Sequence, residues 1–132
     1  MYKILVIDDE PDVVWSLKKI LEARGYQIIT AGNGVDGLEK ASRDNPDLIL
    51  LDIMMPRKNG FKVLQELKAD DATRDIPVIF LSVKGETTNL IEGQRLHATD
   101  YVIKPYRTEE LLKYIKKYLI LKEAGDLGEK DY

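Results

Sequence analysis

Three acidic residues in a row, Asp8-Asp9-Glu10, follow directly on the apolar run Ile4-Leu5-Val6-Ile7, and a further carboxylate, Asp52, follows Leu48-Ile49-Leu50-Leu51. Ser82 closes the run Val78-Ile79-Phe80-Leu81, and Lys104 closes Tyr101-Val102-Ile103, just ahead of Pro105. Each polar group thus stands at the end of a stretch with the composition of a buried strand. In a parallel sheet built from these strands, carboxylates, a hydroxyl and an ammonium project into one crevice. Clustered carboxylates repel: at ~4 Å and an effective dielectric of ~20, each like-charge pair costs about 4 kcal/mol. Without compensation one of the acids would keep its proton at neutral pH. A hard divalent cation removes the conflict, and magnesium suits a few carboxylate oxygens with positions left for water or phosphate oxygens. Lys104 adds a mobile positive charge. The plain alternative makes Asp8 and Asp9 caps of the next helix, Ser82 a strand-end hydroxyl, Tyr101 a half-buried aromatic and Lys104 a solvated turn residue. The coincidence of these groups at matching strand ends weighs against it.

The elements that would position them alternate regularly. Tyr2 to Ile7 reads as a strand, and Pro11 suits the first turn of a helix that carries Val13, Leu17, Ile20, Leu21 and Arg24 at helical spacing and closes at Gly25. Tyr26 to Ala31 is a second strand. A second helix over Gly34 to Arg43 is expected to turn Val35, Leu38 and Ala41 inward, and Asn45-Pro46 ends it. Asp47 to Leu51 has the continuous apolar character of a strand covered on both faces. A helix over 60–69 follows, with Phe61, Val63, Leu64 and Leu67 as its packing set. Ile76 to Leu81 is strand four, Glu86 to Leu96 a weaker helix lowered by Thr87, Thr88 and Gly93, and Thr99 to Ile103 strand five. Thr108 to Leu121 is a final helix whose Thr-Glu-Glu start suits the positive end of its dipole. Five βα units in succession make an α/β protein with a parallel sheet and helices on both faces. In such a sheet function collects at the carboxyl ends of the strands, where strand order reverses.

Composition bounds the remaining classes. The 132 residues fit one domain, read as 1–122, with 123–132 as a C-terminal tail or linker stub. Twenty Lys and Arg against 23 Asp and Glu give a net charge of −3, which removes the broad basic field that direct nucleic-acid binding needs. No cysteine is present, so disulfide, thiol and Cys-metal chemistry are excluded, and the single His97 cannot build a multi-histidine centre. No apolar run approaches the ~18 residues of a membrane span, and the start has no signal-peptide pattern. A cytoplasmic location is therefore expected.

Four segments together resemble the response-regulator receiver domain of two-component signalling. They are Ile4 to Glu10; Asp47 to Pro56 with Gly60; Pro77 to Ser82; and Asp100 to Pro105. The resemblance covers about residues 2–121. It implies a doubly wound, flavodoxin-like (βα)5 fold with strand order 2-1-3-4-5. It makes Asp52 the phosphoacceptor for a phosphohistidine on a histidine kinase or histidine phosphotransfer protein. It implies Mg2+ held by Asp9 directly, by Asp8 through water, by Asp52, and by the backbone carbonyl of Met54. Lys104 would pair with Asp52 and later with a phosphoryl oxygen, and Ser82 would bond another such oxygen. Tyr101 would swing inward when Ser82 moves. Pro105 would follow a cis bond that aims the lysine. The family's output face implies a downstream protein or a homodimer through the fourth helix, strand five and the final helix, whose Lys113, Lys116 and Lys117 make it partly basic. Such a domain is no enzyme beyond its own phosphorylation and slow dephosphorylation.

Some positions depart from the family's habit. Arg57-Lys58-Asn59 adds positive charge near the acceptor, either to steer an anionic donor or, the reading favoured here, as solvated residues. Val83 replaces the usual alanine after Ser82 and is expected to slow hydrolysis of the phosphoryl group. His97 stands where glycine is common. Val13, Val14 and Trp15 cannot all face the sheet, since adjacent helix positions point about 100° apart. An apolar patch of Val14, Trp15, Pro105 and Tyr106 is expected to dock the kinase. The alternative function is a receiver-like binding module that is not phosphorylated, which usually shows as loss of an acid or the lysine. An aspartate-nucleophile phosphohydrolase would need an acid where Met54 stands. In a flavin mononucleotide carrier, Asp8-Asp9-Glu10 would repel the phosphate.

Overall fold

The computed structural model describes residues 1–83, 100–104 and 106–123, with the side chains of residues 82, 83, 122 and 123 outside that description. The described elements are β1 (Lys3–Ile7), α1 (Pro11–Glu22), β2 (Gln27–Ala31), α2 (Gly34–Asp44), β3 (Leu48–Asp52), α3 (Gly60–Ala69), β4 (Val78–Val83), β5 (Asp100–Lys104) and α4 (Thr108–Glu123). The five strands form one parallel sheet in the order β2-β1-β3-β4-β5, as expected. The expected helix over 86–96, His97, Pro105 and the tail beyond Glu123 lie outside the described residues.

Side chains on a strand alternate between faces, and the core divides accordingly. Ile4, Val6, Leu48, Leu50, Ile79, Leu81 and Val102 meet Leu17 and Leu21 of α1 and Leu111, Leu112, Ile115 and Leu119 of α4. Leu5, Ile7, Ile49, Leu51, Val78 and Phe80 meet Ala41 of α2 and Val63, Leu64 and Leu67 of α3 on the other side. All five residues of β3 are buried, which explains its unbroken apolar sequence up to Asp52.

The helix ends follow local chemistry. Asn33 and Asn59 are N-caps whose side chains accept from the backbone N–H of Asp36 and Lys62. Asn45 closes α2 in the left-handed region at φ 52°, and Gly25 supplies a φ of 91° after α1. Two expectations need correction. Val35 is 65% exposed rather than inward, because the stripe of α2 that faces the core is Gly34, Gly37, Leu38 and Ala41. Arg24 is exposed beyond the end of α1, which stops at Glu22.

Gly60 is where the close packing of α3 on β3 leaves no room. A Cβ there would lie 2.5 Å from the carbonyl oxygen of Asp52, 2.8 Å from Ile53 Cα and 3.0 Å from Phe80. Gly32, by contrast, has open space around it. Gly60→Ala is therefore expected to lose about 1–3 kcal/mol in urea unfolding, while Gly32→Ala stays within about 0.5 kcal/mol of the parent; equal midpoints for the two variants would contradict the packing described.

Candidate functional site

The chain leaves β1 for β2 on one side and returns to β3 on the other, so the order in which strands are added reverses between β1 and β3. That crevice is where α/β sheets place ligands. Ile7 pairs with Leu51 in the last row of the β1–β3 ladder, and one residue further on stand Asp8 and Asp52. Alternation puts both on the face of Val6 and Leu50, towards α1 and α4. Asp52 pairs with Leu81, and Leu81 with Val102, so Lys104 stands two residues beyond that row on the same face. Its stem spans the offset: Nζ lies 3.8 Å from Asp8 Oδ2 and 3.9 Å from Asp52 Oδ1. Carboxylate oxygens of Asp8, Asp9 and Asp52 all lie within 4.8 Å of one another.

The capping alternative for the acidic pair does not hold. The N-cap of α1 is Glu10, with no side-chain cap bond, and Asp8 Oδ1 accepts from the Glu10 N–H at 2.9 Å, outside the helix. Asp8 Oδ2 is buried and accepts no hydrogen bond, the one such side-chain atom among the described residues. A buried carboxylate oxygen without a donor is costly, and here it faces two other carboxylates. Burial, then the charges of Glu10 and Asp9, raise the Asp8 pKa against the Glu10 N–H and Lys104. Burial and then the charge of Asp8 push Asp52 to about 7, opposed by Lys104 and by a hydrogen bond from the Met54 N–H. Three hard oxygen donors around an orphaned buried atom fit a hard divalent cation such as Mg2+.

The other sequence-predicted residues fall into place unevenly. The backbone of Ser82 pairs with Ile103 in the next row of the sheet, while its hydroxyl lies outside the description. Tyr101 is half-buried, its ring centroid 5.5 Å from that of Phe80. Of the expected docking patch, Trp15 is 64% exposed with Lys19 Nζ 5.7 Å over its ring, and Val14 leans on the core. Tyr106 does not share a pocket with either. It lines a groove of about 370 Å³ between α1 and α4 with Asp12, Val13, Ser16, Thr108 and Leu112. Burial, then the charge of Asp8, raises the Tyr106 phenol, which ties the groove electrostatically to the acidic crevice. Sequence reasoning missed that tie, and only the step of two residues from Lys104 hinted at it. It also missed the Lys58–Glu66 ion pair at 2.6 Å, since eight residues apart across a loop carries no periodic signal.

Comparison with known proteins places the chain in a family. A family model of the response regulator receiver domain matches residues 4–116, and the chain belongs to that family. It is 41% identical over 119 residues to the protein PilH of Pseudomonas aeruginosa, covering 90% of this chain and 98% of that one. It is 40% identical over 119 residues to the DNA-binding dual master transcriptional regulator RpaA of Synechocystis, and 38% identical over 117 residues to the alkaline phosphatase synthesis transcriptional regulatory protein PhoP of Bacillus subtilis. With 90% and 89% of this chain aligned, it spans 49% and 48%, about half, of those two regulators. Among solved structures, a response regulator receiver domain protein from Clostridium thermocellum matches with a TM-score of 0.87 at 30% identity, over 94% of this chain and 98% of that one. The chemotaxis protein CheY4 of Vibrio cholerae gives 0.84 at 28%, over 89% and 98%.

The raised pKa of Asp52 has a sign for stability. Between its ordinary 3.8 and about 7, the folded protein holds a proton that the unfolded chain has released. Stability from this group is therefore greatest below 3.8 and declines as pH rises through 7, by at most about 1.4 kcal/mol per unit. In chelator, Asp52→Asn is expected to gain on the parent as pH goes from 5 to 8 in urea unfolding, and millimolar Mg2+ at pH 8 to restore the parent selectively. A gap between the two proteins that does not change with pH would refute this balance.

Proposed function

We propose that this protein accepts a phosphoryl group on Asp52 from a phosphohistidine, in a magnesium-dependent transfer, and thereby switches its contacts with other proteins. The observation that carries the proposal is the convergence of Asp8, Asp9 and Asp52 within 4.8 Å of one another, with Lys104 Nζ between two of them. Asp8, Asp9, Asp52 and the backbone carbonyl of Met54 would hold the cation. When bound, it supplies positive charge that keeps the carboxylates ionised and neutralises charge on the incoming phosphoryl oxygens.

An ionised Asp52 oxygen is then a nucleophile that needs no general base. Its bond to phosphorus forms as the phosphorus–nitrogen bond to the donor imidazole breaks, and the electron pair of that bond returns to the ring. Lys104, already within 4 Å of Asp52, exchanges the carboxylate for a phosphoryl oxygen with a short movement of a flexible stem. The hydroxyl of Ser82, one residue past the partner of Asp52 on β4, would take a second oxygen, and Tyr101 on the adjacent β5 would follow it inward. Phosphorylation in this scheme shifts an equilibrium between two forms.

The donor's helices would dock on the apolar residues Val14, Trp15, Pro105 and Tyr106, with the α1–α4 groove beside Tyr106 as part of that surface. A downstream protein or second copy would read β5 and α4 together with residues 86–96. The chemistry of the domain is confined to its own phosphorylation and slow dephosphorylation, which Val83 would retard. A cytoplasmic location suits a kinase partner, and no helix among the described residues is long and apolar enough to cross a membrane.

Intact-protein mass after treatment with acetyl phosphate is expected to rise by one phosphoryl group in Mg2+, and to stay unchanged in chelator or in Asp52→Asn. Transfer from the cognate phosphorylated kinase supplies the same test with the natural donor; no gain from either donor would favour a receiver-like module that is not phosphorylated. With that kinase, Trp15→Ala/Tyr106→Ala is expected to slow transfer about tenfold or more while the acetyl phosphate reaction keeps its rate. An unchanged rate from the kinase would remove the docking surface.

A further inference from the structure

The segment between Asp52 and α3 is tightly wound. Ile53 carbonyl oxygen accepts from Met55 N–H at 3.2 Å and from Gly60 N–H at 2.8 Å. Pro56 carbonyl oxygen accepts from Lys58 N–H at 2.8 Å, closing a three-residue turn about Arg57 at φ 67°. An i→i+2 hydrogen bond about a residue of positive φ has the form of the rare, strained γ-turn, and arginine lacks the freedom of glycine there. Such strain persists only where its surroundings over-determine it.

Lys58 provides the surroundings. Its Nζ lies 2.6 Å from Glu66 Oε2 on α3, with the lysine side chain 25% exposed. Its Cβ and Cδ each lie 3.2 Å from where a Cβ of Gly34 would stand, so the stem crosses the first turn of α2 at a glycine. One side chain therefore ties the turn to two helices. Its charge is matched by Glu66, which leaves the residue a mechanical role and Arg57 exposed at the apex of the turn. The far end of the same segment touches the reacting group: the Met54 N–H bonds the Asp52 carboxylate. At the near end Gly60 donates its N–H to the Ile53 carbonyl oxygen at 2.8 Å and sits so close to Asp52 that a Cβ would lie 2.5 Å from its carbonyl oxygen, so the turn at Arg57 is closed back onto the residues next to Asp52.

We propose that Lys58, through Glu66 and across Gly34, is a positioning residue that latches the strained turn at Arg57 and so fixes the Met54 segment against Asp52. The functional part of this inference rests on the reading of Asp52 as a magnesium-dependent phosphoacceptor; the latch itself does not.

Three variants of the full chain separate the two parts. Lys58→Met keeps the stem and removes the ammonium, Glu66→Gln removes its partner's charge, and Lys58→Arg retains the pair. Lys40→Met on α2, which breaks an ion pair with Asp36 and a bond to the Thr30 carbonyl oxygen on β2, serves as a control for loss of a lysine ion pair elsewhere. In metal-free protein, amide exchange at Lys58 and Gly60 is expected to quicken about tenfold in Lys58→Met and Glu66→Gln, and not in Lys58→Arg or Lys40→Met. The Mg2+ dissociation constant from calorimetry is expected to rise about tenfold in the same two variants, with the double variant no worse than either single one. Unchanged exchange would overturn the latch. Faster exchange with unchanged Mg2+ affinity would overturn the positioning role and leave a structural ion pair. A parent protein that binds no Mg2+ would fail the phosphoacceptor reading before any variant is compared, and the positioning role would fall with it.

Discussion

The site depends on repulsion between carboxylates that the sheet forces together. In-register pairing of β1 with β3 sets Asp8 and Asp52 at neighbouring strand ends on one face, and neither side chain can turn away without leaving its place above the core. Asp8 is 1% and Asp52 6% exposed, so water screens little of the interaction. Burial first, and then the charge of Asp8, push the Asp52 carboxyl to about 7, and the single ammonium of Lys104 at nearly 4 Å offsets only part of this. Added positive charge would relieve the unfavourable ionisation of these carboxyls.

That repulsion is tolerable because the scaffold beneath it is rigid and apolar. Every residue of β3 is buried, and two separate clusters of side chains grip the sheet from opposite sides. Destabilising charge at the strand ends is set against this burial, and local strain at a functional position is sustained by packing elsewhere. Glycine contributes through what it lacks. At Gly37 a Cβ would meet Ile7 Cδ1 at 2.6 Å, and at Gly60 it would meet the Asp52 carbonyl at 2.5 Å. Helices α2 and α3 can thus press against the strands that end in Asp8 and Asp52, which keeps those ends from spreading to relax the repulsion.

Much of this was legible in the sequence because it is written in short periods. Unbroken apolar runs of about five residues ending in acids declared both the strands and the chemistry at their ends, and alternation with helical spacing declared a doubly wound sheet. What failed did so where a neighbour, not a period, decides. Val35 is apolar and near the correct spacing, yet the glycines on either side of it face the sheet, so it is exposed. Arg57-Lys58-Asn59 read as solvated charge; Arg57 is exposed, but Lys58 joins two helices and Asn59 caps one of them. The groove beside Tyr106, lined by Val13 and Ser16, was not legible because it forms only where α1 and α4 meet on one face of the sheet.

The position of Tyr106 connects these levels. It forms part of the wall of the α1–α4 groove, and the charge of Asp8 reaches its phenol. Asp8 in turn lies 3.8 Å from Lys104, which lies 3.9 Å from Asp52. The two sites are neighbours because Lys104 and Tyr106, two positions apart in the chain, reach the crevice and the groove respectively. Whatever occupies the groove therefore sits beside the acidic crevice rather than on a remote face.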